Sequence, residues 1–249
     1  MSELNTASES GNINPVVTVV IPCHNHADML GNAIDSVTMQ DYRPIQIMVV
    51  DDGSSDNPES VVEEKLNSDI AINIIRSENP KGPSAARNAG IEEAWDSTGL
   101  FMMLDADDLY LAGKISKSVK KYQEYPEQIG IVYTDALIKN INTKTKIQEY
   151  RRPFSRKELE MECIISNTPL ITKNAFVKCG GYDEQMRTAE DWDLWLRITE
   201  SFVAVHIPET LHVYHVTGKN SSDVVPQEVW VENWHKIRAR IQERQNGVS

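Results

Sequence analysis

The sequence predicts an α/β fold: one domain with a mostly parallel central sheet flanked by helices, followed by a C-terminal helix. Three observations predict it. Short apolar runs alternate with longer amphipathic ones through the first half. The runs are rich in Val, Ile, Leu and Met, as in strands buried on both faces. Acidic, turn-forming residues follow two of them directly, and open α/β sheets bind ligands at the carboxyl ends of their strands.

The four predicted strands are Val16–Ile21, Ile45–Val50, Ala71–Ile75 and Leu100–Leu104. Between them Asp28–Gln40, Pro58–Leu66 and Ser84–Asp96 read as helices. This strand–helix–strand spacing implies βαβ units. The second half is less regular. Leu111–Tyr125 reads as a helix with basic residues on its outer face, and Ile129–Thr134 as a strand. Ala136–Gln148 alternates around Asn142-Thr143 and predicts a hairpin. A short helix ends at Phe176–Cys179 against Gly180-Gly181, and Asp191–Glu200 forms another. Phe202–Ile207 and Leu211–Val216 read as two short strands, and Val229–Arg244 as the terminal helix.

The chain has 249 residues and a formal net charge of −12. Nucleic-acid binding usually needs a basic face, so that class is disfavoured. Cys23, Cys163 and Cys179 are odd in number and lack C-x-x-C spacing, so neither a zinc knuckle nor a disulfide framework is expected. A reduced, cytoplasmic setting follows. The longest apolar runs are far too short to span a bilayer. The polar N-terminus has no apolar core of a secretory signal, and residues 1–13 read as a disordered tail.

Four segments carry candidate chemistry. Asp105-Ala106-Asp107-Asp108 closes the fourth strand. Three carboxylates in four residues repel one another unless a cation intervenes, and hard oxygen ligands suit Mg²⁺ or Mn²⁺. The same text also fits a solvated turn capping the next helix. Asp51-Asp52-Gly53-Ser54-Ser55-Asp56 is a second acidic turn at the same sheet edge. Lys81–Gly90 opens a helix at Pro83. Arg87 inside it has no acid at the favoured i+4 position, so a local pair does not explain it. Its guanidinium could take a pyrimidine edge or a phosphate. Glu190-Asp191-Trp192-Asp193 starts a helix whose dipole favours ionised carboxylates, which suits a general base as well as simple capping.

Taken in order, these segments resemble family 2 glycosyltransferases, inverting enzymes with the Rossmann-like GT-A fold. The matching text is VTVVIPCHN at Val17–Asn25, VVDDGSSD at Val49–Asp56, GPSAARNAG at Gly82–Gly90, LDADD at Leu104–Asp108, GGYDE at Gly180–Glu184 and EDWDLWLR at Glu190–Arg197. The resemblance runs from about Pro15 to about Ser222. It implies transfer of a sugar from a nucleotide-sugar donor, usually a UDP-sugar, to an acceptor hydroxyl. Pro22, Cys23, His24 and Asn25, with Asp52 and Arg87, would hold the base; Asp51 and Ala106 join that donor side. Asp105 would contact the ribose or assist the metal, and Asp107 would bind Mn²⁺ or Mg²⁺ at the diphosphate. Asp191 would be the general base.

The acceptor is expected at Asn167, Gly181, Glu190 and Trp192. It is a glycan, a lipid-linked saccharide or a protein, and the setting is surface polysaccharide or glycoconjugate synthesis. Many members carry an aromatic-Arg-x-His stretch near the end of the catalytic region. Here His215 stands at the Arg position and Thr217 at the His position, which leaves His215 or Lys219 to serve the metal or diphosphate. Nucleotidyl transfer is the rival enzyme class, but Val16–Leu30 lacks a Gly-rich basic loop for a triphosphate. A non-catalytic binding module would not need Asp191 beside Asp107. In the terminal helix Val229, Trp230, Trp234, Ile237 and Ile241 form one stripe, with Lys236, Arg238, Arg240 and Arg244 nearby. The stripe packs on the domain, on a second subunit of a homodimer, or on the inner face of an anionic membrane.

Overall fold

The computed structural model describes residues 14–66, 69–220 and 224–246. The expected tail, residues 1–13, lies outside them. Strands β1 (Val17–Cys23), β2 (Ile45–Asp52), β3 (Ala71–Ser77) and β4 (Leu100–Met103) form the parallel part of one sheet, with β1 between β2 and β4. The sheet continues through β8 (Leu170–Thr172), β6 (Ile129–Asn140), β9 (Val203–Val216) and β5 (Leu109–Tyr110), and β7 (Lys146–Glu149) pairs with β6. β8 runs against both β4 and β6, so β6 and its parallel neighbour β9 point the same way as β1. β5 and β7 run opposite.

Alternate residues of the parallel strands feed two cores. On one face Val17, Val19, Ile21, Ile47 and Val49 meet Leu30, Ile34 and Val37 of α1 (Ala27–Thr38), Val62 of α2 (Pro58–Lys65), and Ile115 and Val119 of α4 (Lys114–Gln123). On the other, Val20, Met48, Val50 and Phe101 meet α3 (Pro83–Glu93), α6 (Lys173–Cys179), α7 (Glu190–Ile198) and α8 (Gln227–Gln245). A fully buried Leu or Ile contributes about 1.5–3 kcal/mol relative to exposure, and each face has many. α5 (Arg156–Leu159) adds Leu159 to the second core.

α3 lies close to the sheet because Gly90 has no side chain. A Cβ there would come within 2.6 Å of Val20 Cγ1 and 2.9 Å of Val50 Cγ2. The first-half elements match the sequence prediction to within a few residues. The second half departs from it: β5, α5 and β8 were not expected, and three expected features differ. The two short strands expected at 202–216 are one 14-residue strand, β9, which tolerates Pro208-Glu209 through irregular register against β6. β6 extends to Asn140 and itself forms the first arm of the expected hairpin. Lys114 is fully buried instead of lying on the outer face of α4.

α8 packs on the domain through Ile237 and Ile241, both in the second core. Its cations are engaged within the chain. Lys236 pairs with Glu232, Arg240 with Asp183 and Asp193, and Arg244 with Glu200. Arg238 donates to the carbonyls of Glu160 and Met161. No helix among the described residues is long and apolar enough to cross a membrane.

Candidate functional site

The carboxyl ends of β1, β2 and β4 open into a cleft of about 1060 Å³. The loop after β1 is locked to the loop after β2. His24 donates from Nδ1 to the Asp52 carbonyl (2.7 Å), and its Nε2 accepts from Asn25 Nδ2 (3.0 Å). Asn25 sits at φ 55°, a left-handed conformation that Asn tolerates. Its backbone N–H donates to Ser54 Oγ (3.0 Å), and its side-chain oxygen accepts from the Ser55 N–H (2.9 Å). Asp56 caps α1 from this second loop by accepting the Ala27 N–H (2.9 Å).

The two aspartates of that loop divide the work. Asp51 is fully buried; it accepts the Ser54 N–H (2.8 Å) and pairs with Arg76 (3.3 Å), so it shapes the turn and does not line the cleft. Asp52 does line it. Its two oxygens accept the N–H groups of Lys81 and Gly82, each at 2.8 Å, which fixes the entry to α3.

Arg87 is the hub. One guanidinium nitrogen donates to Asp105 Oδ1 and the other to Glu190 Oε1, both at 2.7 Å. The turn after β4 and the first turn of α7 are thereby tied together. Both terminal nitrogens already serve these carboxylates. Arg87 therefore organises the site, and a direct contact to a base would need it to share or exchange those partners. Burial disfavours its charge, but the two carboxylates outweigh that and hold its pKa well above the usual value. Asn167 bridges the other oxygen of Asp105 (3.1 Å) and Asp108 (3.4 Å).

Asp107 and Asp108 differ sharply. Asp108 is fully buried and accepts the His215 backbone N–H (2.9 Å), so it anchors β9. Asp107 faces the cleft beside Ala106. Its Oδ2 accepts from Asn220 Nδ2 (3.2 Å), and His26 Nε2 stands 3.8 Å away. Burial, then the neighbouring Asp105 charge, push the Asp107 carboxyl up to about 6. No Lys or Arg pairs with Asp107 among the described residues.

Asp191, in the first turn of α7, also lines the cleft. Its Oδ1 accepts the Trp192 N–H (2.7 Å). Burial first, and Glu190 second, push its carboxyl up to about 6. Trp192 borders the cleft, but its indole N–H donates to the Leu159 carbonyl (2.6 Å), and Trp195 is fully buried.

Besides Asn25 and Asp51, two more sequence-predicted residues stand outside the cleft lining. Gly181 faces away from the cleft; a Cβ on it would meet Asn88 Oδ1 at 2.9 Å, and its carbonyl accepts from Arg197 (2.7 Å). Its role is to let the GGYDE turn dock on α3. His215 donates from Nδ1 to the Asp107 carbonyl (2.6 Å) and does not line the cleft, so it supports the acidic turn from behind. Two others were missed: Asn220, which closes the 217–220 loop onto Asp107, and His26. His26 follows Asn25 at the ligand edge, the one sequence signal that marks it.

The profile described as glycosyl transferase family 2 matches residues 18–182. The chain belongs to that family. An uncharacterized glycosyltransferase of Rickettsia typhi is 30% identical over 194 residues, 74% of this chain and 58% of that protein. The chain thus spans a little over half the length of that relative. An uncharacterized glycosyltransferase of Bacillus subtilis is 28% identical over 219 residues, covering 83% of this chain and 77% of that one. Hyaluronan synthase of Pasteurella multocida is 25% identical over 218 residues, 86% of this chain but 22% of the synthase. Among solved structures, S. aureus TarS 1–349 superposes with a TM-score of 0.68 at 17% identity, covering 94% of this chain and 72% of that one. The Pyrobaculum calidifontis mannosyltransferase described with GDP-Man and Mn²⁺ superposes with 0.66 at 20% identity, covering 84% and 59%. These likenesses establish a GT-A-like fold for this glycosyltransferase family member.

Proposed function

We propose that this chain transfers a sugar, with inversion, from a UDP-sugar to an acceptor hydroxyl in surface polysaccharide or glycoconjugate synthesis. One observation carries the reading: a single cleft is lined both by His24, Asp52, Asp105 and Asp107 at the strand ends and by Asp191 of α7. The related names support it. TarS 1–349 is described in complexes with UDP and with UDP-GlcNAc, and hyaluronan and chondroitin synthases are among the relatives.

His24 and Asp52, joined at the ends of β1 and β2, line the part of the cleft that would take the nucleobase. Asp105, held by Arg87 and Asn167, would contact the ribose. The residues also fit a divalent cation. Asp107 has no cationic partner among the described residues beyond the nearby His26, whose Nε2 is buried without a hydrogen bond. Among the described residues no three His, Cys, Asp or Glu side chains cluster as a full ligand set. A cation held by one or two side chains and completed by donor phosphates would need no such cluster. Asp107 would hold it, and it would offset the charge that builds on the departing diphosphate.

Asp191 removes the acceptor proton as the hydroxyl attacks the anomeric carbon from the face opposite the leaving group. A carboxyl near 6 is largely ionised at neutral pH yet basic enough to help, a contribution of about 10²–10⁴-fold. The single displacement requires no enzyme nucleophile. Release of nucleoside diphosphate from UDP-Glc, UDP-Gal, UDP-GlcNAc and GDP-Man tests the proposal. At least one UDP-sugar should turn over, and Asp191→Asn should keep donor affinity while losing about 10²–10⁴-fold in rate. Turnover of none, or full turnover by the variant, would refute it.

A further inference from the structure

His26 is a polar group that the transfer chemistry above leaves without a task. It stands immediately before α1, and its ring borders the cleft. Its Nε2 is buried and makes no hydrogen bond. The nearest acid to that nitrogen is Asp107, at 3.8 Å. The α1 terminus does not need the imidazole, because His26 makes no side-chain cap and Asp56 takes the Ala27 N–H.

The C-terminal stretch, meanwhile, presents no free histidine to Asp107. His215 uses Nδ1 on the Asp107 carbonyl and stays out of the cleft. Thr217 directs both its N–H (2.7 Å) and its hydroxyl (3.0 Å) to Asn220 Oδ1. Among the described residues of this stretch, the side chain that meets Asp107 is the Asn220 amide, which presents its donor nitrogen and cannot ligate a cation through that atom.

We propose that His26, on the loop after β1, is the nitrogen ligand of the donor-site cation, beside the oxygen ligand Asp107. The assignment rests on the donor-site reading above. Imidazole and carboxylate ligands at about 2.1 Å put neighbouring ligand atoms about 3 Å apart, so the observed pair needs to close by less than about 1 Å. A nitrogen ligand also biases the choice of metal. Mg²⁺ prefers oxygen throughout, whereas later divalent ions accept imidazole more readily. The chain is therefore expected to favour Mn²⁺ over Mg²⁺, and His26→Asp, which supplies oxygen instead, shifts the preference toward Mg²⁺.

Pulsed electron paramagnetic resonance on the full chain with Mn²⁺ and UDP, and in parallel with Mn²⁺ and GDP, reads the ligand directly. Wild-type protein should show the ¹⁴N modulation of a coordinated imidazole. His26→Gln should lose it, while His215→Gln, folded to the same circular-dichroism spectrum, should keep it. Calorimetry should show Mn²⁺–UDP affinity lower by at least about tenfold in His26→Gln. A bound Mn²⁺–nucleotide complex without nitrogen modulation, or modulation that survives in His26→Gln, overturns the role of His26 alone. Failure of the wild-type chain to bind either Mn²⁺–nucleotide overturns the donor-site reading and this assignment with it.

Discussion

The pH dependence of turnover exposes the Asp191 carboxyl to a quantitative test. Burial and the Glu190 charge place it at about 6, against an ordinary aspartate near 3.9. The base must be ionised, so rate rises with pH through that value. With a carboxyl at 6 the ionised fraction is about 0.9 at pH 7 and about 0.1 at pH 5, whereas an ordinary aspartate would keep about 0.9 at pH 5. Saturated turnover should therefore fall about tenfold between pH 7 and pH 5. Asp107 is also pushed to about 6, so a second perturbation is needed to separate them. The Glu190 charge raises the Asp191 carboxyl, whereas Asp107 is raised by burial and Asp105. Glu190→Gln removes that repulsion and should move the acid limb to lower pH. Initial rates of diphosphate release from pH 4.5 to 8, in wild type and variant, measure both effects. An acid limb near 4 in wild type, or a limb that moves upward in Glu190→Gln, would refute the assignment.

Two further perturbations test the framework of the site. Arg87→Ala leaves Asp105 and Glu190 without their shared cation, and removing one partner of a buried pair costs about 3–5 kcal/mol. Thermal unfolding should shift down by on the order of 10 °C, and Arg87→Lys should recover little, because an ammonium cannot fork to both acids; an unchanged midpoint would contradict the hub role. Burial holds the Lys114 ammonium down to about 7, so the unfolded chain binds more protons from there up to about 10.4 and wild-type stability rises with pH across that window. Lys114→Met removes the slope, so urea unfolding should show the variant more stable at pH 6.5 by on the order of 3 kcal/mol, with the advantage shrinking by pH 9.5; an advantage that grows with pH would count against it.

The first half of the fold was legible because its strands are buried on both faces and read as unbroken apolar runs. β5, β8 and α5 were not, since elements of two to four residues leave no periodic trace. β9 read as two strands because Pro208 interrupts its pattern, and only pairing with β6 carries it through. Within the site, Asp52, Asp105, Asp107 and Asp191 were legible as acids at strand ends and a helix start. Their partners were not. The Arg87–Glu190 and Asn88–Tyr182 contacts join residues about a hundred positions apart, which no local spacing announces. Gly181 looked like acceptor-loop chemistry and instead makes room for Asn88. Asp51 and Asp52 are adjacent and alike in sequence, yet strand alternation turns one into the turn and the other into the cleft. Lys114 and His26 were hidden for a related reason. Their surroundings come from β5, β6 and the turn after β4, not from their own segments.

Calorimetric titration of UDP tests the central claim, a metal-assisted nucleotide-sugar site at Asp107, most directly. The titration is made into the wild-type chain with Mn²⁺, into the same protein with chelator, and into Asp107→Ala with Mn²⁺. The account predicts clear binding in the first case and a loss of at least about tenfold in the other two. Equal affinity in all three would contradict it.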